Sequence, residues 1–264
     1  MLPLLHLFGL TIQTPLLAVL LGMTLGLMLI ARLATERGLK GNELFDAGFY
    51  GLIAGVLGAR AGYVVANFAA YGREPLSALI PSTTALLPET GWLCGIVFAA
   101  IYLWRKHLFS PDLPDLIAPG IAVFAMGMAL GSFFSGDSFG ISAQLPWSIY
   151  LWGEWRHPVQ LYEAAGLAAI LVALLYLLRR RVPEGVVALA FVGLYGGLRA
   201  LIDATRAGVP TLFGLRITQL AGVAAAVAAL WLIMELYAGR TSAARVQTDA
   251  GSLSEAPPVK TGEP

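Results

Sequence analysis

The stretch Arg156-His157-Pro158-Val159-Gln160-Leu161-Tyr162-Glu163 decides how the chain is read. It follows a tryptophan-rich segment and opens directly into an apolar run that ends at Arg179. Polar and charged residues and a proline are thus concentrated where a membrane helix should begin. Pro158 suits the first turn of a helix, because the amide it lacks would have no intrahelical partner there. Gln160 and Glu163, three apart, share a face and project together from that turn, and Tyr162 lies beside them. A helix N-terminus adds free backbone donors and partial positive charge, with Arg156 and His157 just outside. The stretch therefore reads as an anion-friendly, hydrogen-bonding entrance at a membrane surface. An ordinary interfacial helix start, with Arg156 snorkelling and His157 solvated, would share these features.

Composition supports the membrane. Of 264 residues, 58% are hydrophobic and only 12% charged, and the mean hydropathy is +0.75. Soluble domains are typically about half apolar and a quarter charged. Seven apolar runs can be placed, at roughly 14–32, 47–70, 91–104, 114–134, 158–178, 185–206 and 217–238. The expectation is an all-α integral membrane protein, a seven-transmembrane-helix bundle over 1–238 with a polar, disordered tail over 239–264. Abundant Gly and Ala permit close helix approach. The first run lacks a basic leader and reads as a retained span.

Net charge is +1, which gives no reason to expect nucleic-acid binding. Cys94 is the sole cysteine, and His6 and His107 have no ligand-like spacing, so neither metal nor cofactor is expected. Basic residues set the orientation. The first, third and fifth connections hold eight, namely Arg32, Arg37, Lys40, Arg105, Lys106, Arg179, Arg180 and Arg181. The second, fourth and sixth hold four, namely Arg73, Arg156, Arg206 and Arg216. The N-terminus is thus expected outside, the C-terminus in the cytoplasm, and the 156–163 stretch at the outer leaflet. Trp147, Tyr150, Trp152 and Trp155 agree, since such rings favour the headgroup region.

Two arginines fall inside apolar runs, where an unpartnered cation is costly. Arg60 lies mid-run in VLGARAGYVVANF. In the sixth run Tyr195, Arg199 and Asp203 follow at i, i+4 and i+8, with Arg206 one turn on, giving a continuous polar face. Arg199 and Asp203 could simply neutralise each other, but the segment has more cations than acids. A phospholipid phosphate is the anion available at that depth, and planar guanidinium binds it well.

Three segments together resemble the bacterial prolipoprotein diacylglyceryl transferase family. GARAGYV is similar to its GAR-x-x-Y-V segment, LPWSIYLWGEWRHPVQLYE to its PW…RHPSQLYE segment, and YGGLRALIDATR to its YG-x-x-R-F-x-x-E-x-x-R element, with Asp203 in place of the glutamate. The resemblance covers most of residues 44–230. It implies transfer of a diacylglyceryl group from phosphatidylglycerol to the lipobox cysteine of preprolipoproteins, recognised through their signal peptides, at the bacterial plasma (inner) membrane. On this reading Arg199, His157 and Asp203 are candidate catalytic residues. Arg60, Arg156, Gln160, Tyr162, Glu163, Tyr195 and Arg206 are candidate substrate-binding residues.

The chain departs from the family pattern at two motifs. Where the family has GR-x-GN-F-x-NG-E, this chain has MALGSFFSGDSFG, with Ala129 at the arginine, Ser132 and Ser135 at the asparagines and Asp137 near the acid. Where the family has HGGL-x-G, this chain has TGWLCG, with Thr90 at the histidine. Two alternatives stand beside an active transferase: a degenerate member that binds phospholipid or lipopeptide without transfer, and a small transporter.

Two outcomes are expected. A cysteine introduced near Ser148 should be labelled by an impermeant thiol reagent from outside, with the tail protected. Protection near Ser148 with labelling of the tail would reverse the topology. Truncation after Arg240 should leave insertion and lipid transfer near wild type, because a chain this polar supports no packed pocket; a large loss at equal protein level would disprove this.

Overall fold

The structure is a computed structural model that describes residues 4–7, 10–72, 85–180, 182–208, 211–212 and 215–254. A hairpin of β1 (Leu4–Leu7) and β2 (Leu10–Gln13) leads into α1 (Thr14–Glu36), α2 (Gly41–Ala66) and the one-turn α3 (Phe68–Tyr71). Next come α4 (Pro88–Arg105), α5 (Leu113–Ser135), the β3 (Ile149–Leu151) and β4 (Glu154–Arg156) hairpin, and α6 (Val159–Arg179). The chain closes with α7 (Val186–Ile202), the β5 (Thr211–Leu212) and β6 (Leu215–Arg216) hairpin, and α8 (Ile217–Ser254). Seven long helices thus occupy the seven apolar runs. Five of them are long and apolar enough to cross a membrane. The others, α4 with 18 residues and α7 with 17, rise roughly 25–27 Å at 1.5 Å per residue.

Four features differ from the sequence reading. Short antiparallel hairpins occur in an otherwise helical chain, where connections are too brief for helix but alternate and turn sharply. Helix α4 starts at Pro88, earlier than the apolar run, because proline fits a first turn. Helix α7 ends at Ile202, so Asp203 caps it and Arg206 stands beyond it, in extended backbone bridged to Gly140. Helix α8 continues through Ser254, into the segment expected to be disordered. An existing apolar helix can propagate into polar sequence without a new nucleus. Most of the second connection, with Arg73, lies outside the described residues, as do Arg181 and 255–264.

Glycine decides which helices touch. A Cβ on Gly22 would lie 2.7 Å from Gly127 Cα, and one on Gly26 would lie 2.5 Å from the Gly120 carbonyl oxygen. These contacts zip α1 to α5. Gly51 and Gly55 face Gly95 and Gly91 in the same manner, zipping α2 to α4, and Gly196 faces Gly222 between α7 and α8. In lipid, where leaf-like apolar side chains gain nothing by meeting each other rather than acyl chains, such close backbone approach is a main source of association. Helix α5 also packs against α6 and α7 and is the central element. Around it Ala118, Ala122, Ile170, Leu174 and Val187 form one core cluster. Leu27, Ile30, Leu44, Leu113 and Leu116 belong to a second cluster, and many other large apolar side chains on the helices are exposed.

One buried acid sets the start of α7. The N-cap of α7 is Gly185, which has no side chain to satisfy the first amides. Asp115, in the first turn of α5, takes that role from a neighbouring helix. Its carboxylate accepts from Gly185 N and Ala188 N, both at 2.8 Å. At the same end Arg37 donates to the Leu178 carbonyl at the finish of α6 (3.0 Å). Asp115→Ala is expected to lower the thermal midpoint in detergent, by roughly 1–3 kcal/mol of stability, because it strands two buried donors. Asp115→Asn, which keeps one acceptor, should cost less. Equal midpoints for all three proteins would remove this role.

Candidate active site

The first turn of α6, the end of α7 and the loops beside them meet at one end of the bundle. The residues there are held by a short extended segment, 139–143, that runs between two others. On one side Ile141 N donates to Thr205 O (2.8 Å) and Ala207 N to Phe139 O (3.0 Å). On the other, Ala143 N donates to Trp155 O (2.8 Å) and His157 N to Ile141 O (3.2 Å). Gly140 is the point of closest approach. A Cβ there would lie 2.6 Å from both the Cβ and the carbonyl oxygen of His157. The lack of a side chain lets α6's entrance lie against the segment that also pairs with Arg206.

Glu163 stands at the centre. Its carboxylate accepts from the Tyr195 hydroxyl (3.0 Å), Arg199 Nη1 (3.0 Å) and Arg206 Nη2 (2.6 Å). Asp203, fully buried, faces Arg206 Nε at 3.1 Å and Arg199 Nη2 at 3.5 Å. Neither N–H is aimed at an Asp203 oxygen with hydrogen-bond geometry, so these contacts are Coulombic. Arg216 donates to the backbone carbonyls of Asp203 and Arg206. Two guanidiniums thus face two carboxylates, and a third, that of Arg216, is bonded to the backbone beside them. Side-chain exposure is 27% for Arg199, 13% for Arg206 and 10% for Glu163. Arg199 is the most open of the four ion-paired side chains.

The remaining expected site residues separate into three places. His157, half-buried, and Tyr162 form a pair at the α6 entrance, with His157 Nδ1 3.3 Å from the Tyr162 hydroxyl, which also accepts from Trp147 Nε1 (2.7 Å). Gln160 is 1% exposed and donates to the Asp137 carbonyl (2.6 Å), so it ties the α5–α6 connection to α6 instead of projecting with Glu163 into an open anion site. Arg156 pairs with Glu154 (2.9 Å), donates to the Leu151 and Gly140 carbonyls and lies over the Phe139 ring. Those contacts make it a strut of the β3–β4 hairpin. Arg60 is on α2, where it donates to the Ala85 carbonyl (3.1 Å) and lies 5.5 Å from the Tyr71 ring centroid.

The position expected to hold a histidine, Thr90, donates to the Gly58 carbonyl across the α2–α4 contact. The position expected to hold the signature arginine, Ala129, is buried. Sequence reasoning missed Arg216, which looks like any basic residue before a span, and Trp147 and Gly140, whose roles depend on what they approach. Between the α1–α5 and α2–α4 pairs lies an apolar cavity of about 460 Å³, lined by residues such as Gly26, Leu44, Gly51, Ala59, Trp92 and Phe124. Among the described residues no cluster of His, Cys, Asp and Glu could hold a metal ion.

Comparison with known proteins accords with this geometry. The family model for prolipoprotein diacylglyceryl transferase matches residues 3–235. A Finegoldia magna protein is 27% identical over 229 residues, covering 85% of this chain and 91% of its own. A Geobacter sulfurreducens protein is 33% identical over 193 residues (70% and 74%), and one from Aromatoleum aromaticum is 33% identical over 207 (75% and 78%). Each bears the name phosphatidylglycerol–prolipoprotein diacylglyceryl transferase. With the match running through the α6 entrance and the charged end of α7, the chain belongs to the prolipoprotein diacylglyceryl transferase family.

Proposed function

We propose that this chain transfers a diacylglyceryl group from phosphatidylglycerol to the cysteine thiol of a prolipoprotein, the reaction for which its relatives are named. The S–C bond forms at the glyceryl carbon as the C–O bond to phosphate breaks. The thiol proton passes to solvent water, and glycerol phosphate leaves. The phosphodiester carries one negative charge and the departing monoester gains another. A cation beside it is therefore worth more in the transition state than in the bound substrate. The observation that carries the proposal is the charge cluster at the end of α7, in which Arg199 is more exposed than Arg206, the other cation paired with the carboxylates. Glu163 and Asp203 hold the guanidinium plane, Tyr195 fixes Glu163, and Arg206 is held by both carboxylates.

The donor's acyl part finds a matching environment in the apolar cavity. The cavity follows α2 from Leu44 to Ala59, roughly 22 Å at 1.5 Å per residue, and Arg60 follows Ala59 directly. A long apolar chain with an anionic head suits that layout. The names shared by the relatives favour transfer over a member that only binds lipid.

The same reading gives a seven-span domain over 1–238, its N-terminus outside and its C-terminus cytoplasmic, in the bacterial plasma membrane. Lipobox signal peptides are the second substrate, met at the outer leaflet by the charged end of the bundle.

Arg199→Lys keeps the charge but loses the planar two-pronged contact, and should still impair transfer strongly. Arg199→Ala should lower turnover by about 10²–10³-fold, the scale of losing a charge-assisted transition-state donor. The decisive protein is the double variant Arg199→Leu, Asp203→Leu, which leaves the Glu163–Arg206 pair intact. It should fold and fail to transfer lipid from labelled phosphatidylglycerol to a prolipoprotein. Transfer near wild type by that folded variant would reduce Arg199 to a partner of Asp203.

A further inference from the structure

The proton order around Tyr162 is set by what each neighbour can do. Trp147 Nε1 only donates, so at 2.7 Å the Tyr162 oxygen is its acceptor. The hydroxyl proton of Tyr162 is then free, and His157 Nδ1 lies 3.3 Å away. The reverse order, with a protonated Nδ1 donating to the same oxygen, makes Tyr162 accept twice. It also leaves the hydroxyl proton without an acceptor among the described residues. The arrangement that uses every proton is Trp147 to Tyr162 to His157.

We propose that Tyr162, braced by Trp147, is a positioning residue that holds His157 as its Nε2–H tautomer, so that His157 serves the site as a hydrogen-bond donor and not as the base for the thiol. An imidazole whose Nδ1 already accepts a proton has only Nε2–H left to offer. The backbone that carries the ring is held in place. His157 N is bonded to the Ile141 carbonyl, and the residue is pressed against Gly140 so closely that a Cβ there would meet it at 2.6 Å. Gly140 is bridged in turn to Arg206, so the 139–143 segment ties the backbone of His157 to that of the charge cluster. The His157 and Tyr162 rings stand 6.1 Å apart at 68°, an edge-on arrangement that leaves the ring edge bearing Nδ1 toward the hydroxyl. The acceptor for Nε2–H is a phosphodiester oxygen of the bound lipid, and that part rests on the transferase reading above.

Two measurements on the full chain test it. The protein has three histidines, so nitrogen NMR of a histidine-labelled sample in detergent, at mildly alkaline pH, resolves few signals. The His157 signals are identified by their loss in His157→Gln. Wild type should show His157 as the Nε2–H tautomer, and Tyr162→Phe should give a mixture. An Nδ1–H tautomer in wild type, or no change in Tyr162→Phe, would overturn the proposal. The second measurement is transfer by His157→Gln and His157→Asn. A glutamine amide can place its N–H near the position of Nε2–H, whereas asparagine is too short. Gln should keep transfer within about 10-fold of wild type and Asn should lose roughly 10²-fold or more. Equal collapse of both is the pattern of a proton acceptor and would also overturn the donor role. If wild type itself transfers nothing, the transferase reading fails. The tautomer measurement, and phosphatidylglycerol binding by the Gln and Asn variants, then decide this proposal alone.

Discussion

A single carboxylate, that of Glu163, must remain charged within a half-lipidic bundle, and the architecture of one end follows from that demand. An ion removed from water costs several kcal/mol unless partners replace its hydration. Glu163 receives three donors, a phenol and a guanidinium from α7 and a second guanidinium from the loop beyond it. The donors tie α6 to α7 and to the loop beyond it. The helix ends at Ile202, and Arg206 reaches Glu163 from the bridged backbone beyond it. Asp203 then lies between the two guanidiniums, and the Arg216 contact to its carbonyl draws in the start of α8.

The backbone around the cluster is built to hold rather than to fill. The segment 139–143 is laced to 205–207 on one side and to 155–157 on the other. The α5–α6 and α7–α8 connections therefore move as one piece. Arg156, an obvious candidate for an anion ligand, is used within the β3–β4 hairpin. That hairpin turns through Trp152 and Gly153, both at positive φ, as a two-residue connection of this twist requires. A tryptophan in that conformation is disfavoured by roughly 1–2 kcal/mol, and its indole N–H is bonded to the Gly136 carbonyl at the end of α5. The Trp152 side chain is exposed, and elsewhere in the hairpin the Tyr150 and Trp155 rings pack edge to face.

At the rest of the bundle a different physics applies. Apolar side chains do not drive association in lipid, so glycine contacts choose the partners. They pair α1 with α5, α2 with α4 and α7 with α8. Two of those pairs leave the apolar cavity between them, with Gly26, Gly51 and Gly95 in its wall. The charged end and the apolar space thus have separate origins. They offer together what a phospholipid needs, a place for a headgroup and one for a chain.

Composition and periodicity in the sequence determined the helical membrane character and the seven long helices, because burial in lipid demands apolar runs of a length that can be counted. The segments YGGLRALIDATR and RHPVQLYE also marked the charged end and the family, since buried arginines and acids stand out against an apolar background. Partnership was decided only in the tertiary structure. The i, i+4 spacing paired Arg199 with Asp203, but its hydrogen-bonded partner is Glu163, 36 residues earlier. Gln160 and Arg156 looked like ligands because they are polar, yet they are bonded to backbone. Asp115 and Gly140 carried no local signal at all, since one caps a helix 70 residues away and the other matters for the atoms it lets approach. A sequence states which charges a chain must bury; only the packed bundle states which opposite charge or orphaned amide each will find, because those partners come from distant segments brought together by contacts between glycines.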